Sequence, residues 1–216
     1  TNDNDKKGTD ENDTKSDNIN VKTSTDDDDD EIILELEDDE FTPICLSPDG
    51  QFIYIKDDFY VKKLELSRGR VTQKLAFDSN QEKIFSLCLS PDGKSLFSGD
   101  TEGYVHKFES ESFEQVLGPK NRFKSLAFNK PEILSICVSD SFIFVQQRSQ
   151  IHQFSIEEQQ TKIIADVNFI FGSEPEFCSP FLSSDGKYLY YGERKQGGSV
   201  EKQTLYKYNT ITEETT

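Results

Sequence analysis

The sequence predicts an all-β protein built from tandem four-stranded antiparallel modules, about four of them in this chain. Three observations carry that expectation. The phrase Ile44-Cys45-Leu46-Ser47-Pro48-Asp49-Gly50 returns almost unchanged as Leu87-Cys88-Leu89-Ser90-Pro91-Asp92-Gly93, and degenerate copies start at Ile136 and Phe181. The aligned serines, Ser47, Ser90, Ser139 and Ser183, lie 43, 49 and 44 residues apart, a period of roughly 40 to 50 residues that marks a repeated structural unit. Turn formers interrupt each candidate window before a 3.6-residue apolar period can build, which argues against long helices.

The first segment, residues 1–30, is expected to be a disordered acidic tail. Residues 1–40 hold seventeen Asp and Glu against four Lys, a net of −13 out of −17 for the chain, so the following 176 residues are nearly balanced. Up to Thr25 the only aliphatic side chains are Ile19 and Val21, too little apolar surface to offset the entropy of ordering. The run Asp26 to Asp30, preceded by Thr23-Ser24-Thr25 and followed by Glu31, either solubilises the chain or engages a basic partner by long-range attraction. Acids three residues beyond Ser24 and Thr25 resemble acidophilic kinase sites, where phosphate would deepen the charge.

Residues 31–212 form the second expected domain, with repeats at about 32–66, 70–109, 113–156 and 161–209. In the second repeat, residues 84–89 are a short apolar run bounded by Pro91-Asp92-Gly93. Residues 94–99 follow as a strand closed by Asp100-Thr101-Glu102-Gly103, and residues 104–109 as a third, all at hairpin spacing. A fourth strand is expected ahead of each trio, at 71–77 for the second repeat and 32–37 for the first. A lone sheet of this kind exposes both faces. Stacking successive sheets round an axis covers them, which fits inner strands that are apolar at successive positions. That is the arrangement of blades in a β-propeller. A sandwich, the other home of many short strands, needs no repeat of this length.

Cys45, Cys88 and Cys137 hold one register position, two residues before the aligned serine, and fall one to a repeat. Structural zinc ligands pair at spacings of about two to four residues, so these cysteines are read as small packing residues in a reducing compartment. An intracellular protein, cytoplasmic or nuclear, is expected. No stretch approaches the roughly 18 consecutive apolar residues of a membrane span.

Strand, Ser-Pro-Asp-Gly, strand, turn, then a third strand ending in an aromatic and an acid resembles the WD-repeat family, over about residues 32–210. The family's closing Trp-Asp corresponds to Leu64-Glu65, Phe108-Glu109, Phe154-Ser155 and Tyr208-Asn209; the chain contains no Trp. No Gly-His pair opens the repeats, so the buried His-to-Asp network typical of the family is not expected here. Ser-Pro-Asp-Gly turns also occur in lactonase-like and other propellers. Rings of the WD type resemble sets of six to eight blades, whereas this chain supplies four strand quartets. Either the ring closes with four, strand 32–37 completing the last repeat, or the remaining blades lie in further sequence or in another chain. The start at Thr1 instead of Met favours the longer ring.

Signatures of catalysis are lacking. His106 and His152, with Lys62 and Tyr206, share one position in the third strand, expected to be a partly solvated blade edge. No Gly-x-Ser-x-Gly elbow, His-Glu-x-x-His or phosphate loop occurs, and residues 192–199 read as a β-hairpin loop. Asp57-Asp58, and Asp100 with Glu102, lack the spacing of a calcium loop. The most basic stretch, Lys120-Asn121-Arg122-Phe123-Lys124, is short for a phosphate-neutralising face. No cofactor or metal, no direct nucleic-acid contact and no membrane partner are expected.

The expected function is a non-catalytic scaffold whose loops hold a peptide or a subunit of a larger complex. The resemblance places the partner face on the loops between outer and inner strands and between second and third strands. In this sequence those loops carry Asp57, Asp58, Asp78, Asn80, Asp100, Glu102, Glu174 and Arg194, and the acids among them suit a basic peptide. Two alternatives stand beside it: a lactonase-like propeller enzyme with ligands gathered on the axis, and chaperone-like binding of basic proteins such as histones by the acidic tail.

Overall fold

The computed structural model describes residues 19–24, 31–36, 43–57, 60–76, 84–117, 132–147, 150–166, 176–197 and 200–216. A hairpin comes first: β1 (Ile19–Ser24) pairs antiparallel with β2 (Glu31–Leu36), Ile19 opposite Leu36. The first blade is β3 (Ile44–Leu46), β4 (Phe52–Asp57), β5 (Tyr60–Glu65) and β6 (Arg70–Ala76), and the second is β7 (Ile84–Leu89), β8 (Ser95–Asp100), β9 (Val105–Glu109) and β10 (Gln115–Leu117). The third comprises β11 (Ser135–Val138), β12 (Phe142–Gln146), β13 (Gln150–Ser155) and β14 (Thr161–Asp166), and the fourth β15 (Glu176–Leu182), β16 (Tyr188–Gly197) and β17 (Val200–Asn209). Every blade is an antiparallel meander.

The repeated phrase is a turn with one fixed wiring. Ser47, Ser90 and Ser183 each donate a hydroxyl to the aspartate two residues on, at 2.6 Å. The same hydroxyl oxygen accepts the N–H of Phe52, Ser95 or Tyr188, which starts the next strand. The glycine sits at φ of 70, 71 or 68°, a left-handed conformation that a residue without Cβ reaches at no steric cost. These serine hydrogen bonds hold the carboxyls of Asp49 and Asp92 below the usual range and that of Asp185 at about 2. The third copy lacks the glycine because its turn is shorter: the Ser139 N–H donates to the Phe142 carbonyl at 2.8 Å and the Phe142 N–H donates to the Ser139 hydroxyl at 3.0 Å.

The other tight connection, from third to fourth strand, also repeats. Its left-handed residue is Gly69, Phe113, Gln159 or Glu213 in turn. Phe113 is strained there, and the strain is offset because its ring is buried edge-on against Tyr54 of the preceding blade, centroids 6.1 Å apart.

This turn corrects the expected phase of the repeats. The strand placed ahead of each trio is hydrogen-bonded to the trio before it, as Leu64 opposite Val71 shows, because a short turn folds it straight back while the connection to the next blade is longer. The blades are therefore 44–76, 84–117, 135–166 and 176–216, and not the units 32–66, 70–109, 113–156 and 161–209. Strand 32–37 does not complete the last blade either. Residues 31–36 pair with β1, which places residues 19–24 of the expected disordered tail in a strand; residue 37 and the rest of residues 1–30 lie outside the described residues. Along the outer edge of β17 runs Glu214–Thr216 instead, with reciprocal backbone bonds of 2.9 Å between Lys207 and Thr216.

Blades stack in chain order, and one rule describes each contact. A trailing face (Cys45, Tyr54 and Val61 in the first blade; Cys88, Phe97 and Val105 in the second; Cys137, Phe144 and Ile151 in the third) packs on the leading face of the next blade. Those leading faces present Leu87, Leu89 and Leu96, then Ile136, Val138 and Ile143, then Leu189 and Tyr208. Full burial of each aliphatic contributes about 1.5–3 kcal/mol. Polar ties join the same interfaces: Tyr54 Oη and Lys63 Nζ both donate to the Ser110 carbonyl at 3.3 Å, and Tyr208 donates to Gln153 at 2.7 Å. Cys45, Cys88 and Cys137 are free thiols in these interfaces; burial pushes Cys88 up to about 11 and Cys137 to about 12, and raises Cys45 as well. Among the described residues no strand of the fourth blade packs on the first.

Candidate partner-binding face

One end of the blade array is formed by the hairpins between second and third strands, and in three of the four the same kind of side-chain pair is seen. Asp57, Asp100, Gln147 and Glu193 hold one repeat position, two residues past the second-strand residue that stands opposite Lys62, His106, His152 or Tyr206 on the third strand. His106 Nε2 lies 2.8 Å from Asp100 Oδ2, His152 Nε2 lies 3.0 Å from Gln147 Oε1, and Tyr206 donates to Glu193 at 2.9 Å. In the first blade Lys62 is equally buried, while the Asp57 side chain lies outside the described residues. His106, His152 and Lys62 are thus interior groups, a correction of the expected solvated edge; Tyr206 alone is partly exposed.

Asp100 is the tightest of these nodes. Its Oδ1 accepts the N–H groups of Glu102 and Tyr104 at 2.9 and 2.8 Å while Oδ2 meets His106, and the residue is 1 % exposed. A buried His-to-Asp contact therefore does exist, with the histidine supplied by the third strand instead of by a Gly-His pair. Burial of His152, only partly opposed by the Asp166 charge, lowers its pKa, and its Nε2 lies against the Gln147 amide oxygen.

Of the residues expected on the partner face, Asp57 ends β4, Glu102 is exposed at the tip of the second hairpin, and Arg194 lies on β16 just past Glu193. The structure brings these three to the same end of the array. The β16–β17 hairpin continues to Gly197 opposite Val200, four residues beyond Glu193, so residues 192–197 read as loop are strand. Asp100 faces inward with its oxygens engaged, so it shapes this surface without forming part of it. Asp58, Asp78, Asn80 and Glu174 lie outside the described residues, as do Thr25 and the side chain of Ser24. Sequence reasoning missed Gln147 and Glu193; the available signal was their alignment with Asp57 and Asp100 in the repeat.

At the opposite end, a cleft of about 410 Å³ opens between the third and fourth blades, lined by Ser139, Asp140, Ser183, Asp185, Thr210 and Ile211 among others. Most of its polar groups are committed to the turns: Ser183 to Asp185, Asp185 to Lys187, and Thr210 to the Gly186 carbonyl. Among the described residues no group of three or more His, Cys, Asp and Glu is placed to hold a metal ion, and no helix is long and apolar enough to cross a membrane.

No family model matches the chain, and no curated protein does. Solved structures do match. The structure of U3-55K, a WD40 β-propeller protein, aligns with a TM-score of 0.51 at 15 % identity, over 80 % of this chain and 50 % of that one. At that identity the likeness speaks to fold alone, and the chain spans about half the length of the protein it matches. Antiparallel meanders that repeat and stack face to face in chain order are propeller-like blades, and this alignment supports a WD-like propeller fold.

Proposed function

We propose that this chain is a non-catalytic protein-interaction scaffold that presents the ends of its second-to-third-strand hairpins to a basic peptide or subunit. The observation that carries the reading is the side-chain pair resolved behind three of these hairpins. Buried pairs fix the hairpin bases, so residues at the tips are held in place before a partner arrives, which lowers the ordering cost of binding. In the sequence Asp57, Asp58 and Glu102 fall in the hairpin segments of the first two blades and Arg194 in that of the fourth, with Asp78, Asn80 and Glu174 in the segments that join successive blades.

A fluorescent oligolysine peptide titrated at low salt against the full chain tests this. Glu102 is exposed and an exposed charge contributes about 0.2–1 kcal/mol, so Glu102→Gln and Glu102→Lys are expected to weaken binding about two- and threefold while the far-ultraviolet spectrum stays unchanged. A second reading, attraction by the acidic run, predicts instead that Asn in place of Asp26 to Asp30 removes the binding and the hairpin substitutions do not. That outcome would overturn the hairpin reading.

A further inference from the structure

The two ends of the blade array expose what every internal interface buries. On the leading side, Ile44 and Leu46 of the first blade are 49 % and 57 % exposed, whereas their counterparts Leu87 and Leu89, and Ile136 and Val138, are each 8 % or less. On the trailing side, Phe181 and Leu205 of the fourth blade are 56 % and 68 % exposed. The counterparts of Leu205, namely Val61, Val105 and Ile151, are 0, 3 and 0 %. Phe181, Tyr190 and Lys207 stand opposite one another across the sheet, matching Cys45, Tyr54 and Lys63 of the first blade. Position by position, then, the exposed apolar groups at one end are the half of a blade interface that the other end lacks.

We propose that two copies of this chain pair head to tail, the leading face of blade one in each copy seated on the trailing face of blade four in the other. The internal interfaces set the chemistry of the occupant: aliphatic inner-strand residues against an aromatic and a branched residue, as Leu87 and Leu89 lie against Tyr54 and Val61. A second copy supplies both halves. Charge does not oppose the pairing strongly, because −13 of the net −17 lies in residues 1–40 and the blades are nearly neutral. Four blades from each copy make eight, within the range of about four to eight at which propellers close. A contact of this heterologous kind needs two different faces, and closure in a pair uses each of them twice.

Sedimentation velocity on the full chain, from about 1 to 100 µM, reads the result directly. Twice the mass of one chain is expected for the natural sequence. Leu46→Asp alone and the double variant Phe181→Asp with Leu205→Asp each remove one of the two faces, so each is expected to run as a monomer. These residues are exposed, so circular dichroism is expected to show both variants folded. Mixed together, the two variants regain one intact interface, between blade four of the first and blade one of the second, and a dimer returns. A monomeric natural chain, a ladder of larger multimers, or a dimer indifferent to both sets of substitutions would overturn the proposal.

Discussion

Asp100→Ala is expected to destabilise the protein by about 3–5 kcal/mol, a large part of the roughly 5–15 kcal/mol that holds a domain folded. The carboxylate serves three donors at once: two backbone N–H groups that shape the turn over residues 101–103, and the imidazole of His106. Alanine removes the acceptor that all three share at a residue 1 % exposed, in a buried contact with His106 and part-buried ones with the two N–H groups, and each donor left unsatisfied by burial costs about 1–3 kcal/mol. Asp100→Asn keeps a carbonyl oxygen for the two N–H groups and is expected to cost less than half as much. Urea denaturation of the two variants beside the natural chain checks both values. A loss below about 1 kcal/mol for alanine would mean that the aspartate is not a structural node.

Gly99→Val is expected to be comparably damaging, for a steric reason. A Cβ at residue 99 would stand 2.6 Å from the Ile133 Cβ and 2.7 Å from the Ser86 Oγ. Real Cβ contacts are essentially never under 3.0 Å. Ile133 is fully buried, bonded through its N–H to the Asp100 carbonyl, and its own carbonyl accepts from Ser86, so the segment entering the third blade cannot back away without breaking polar ties. Overpacking costs about 1–3 kcal/mol where a core can adjust; here the cost falls at the upper end, with Gly99→Ala milder than valine. Thermal melts order the three proteins, and an unchanged midpoint for valine would show that residues 132–134 do not lie against β8.

How far the sequence reveals this structure depends on whether each determinant is local. The Ser-Pro-Asp-Gly turns are legible because one serine, one aspartate and one left-handed glycine within six residues carry the whole wiring. Blade size followed from their spacing, and the cysteine position proved to be a packing position. The phase of the fourth strand was not legible, since residues 70–76 have strand character whichever neighbour they join; only the tight turn at 66–69 decides it. Asp100 was misplaced on the partner surface because a carboxylate in a turn is usually solvated. What buries it is the histidine six residues on together with the packing of Gly99 on Ile133, a contact across blades. Stacking order set the exposure of Phe181 and Leu205, which reside at positions that are interior elsewhere in the repeat.

Hydrogen exchange resolved to single amides tests the rigid hairpin base most directly, because exchange reports local opening at each N–H. The account predicts that the Glu102 and Tyr104 amides, bonded to buried Asp100, exchange as slowly as those of the central strands β8 and β9, and that Asp100→Asn leaves them slow while Asp100→Ala releases them. Exchange of Glu102 and Tyr104 at the rate of an open loop in the natural chain would contradict it.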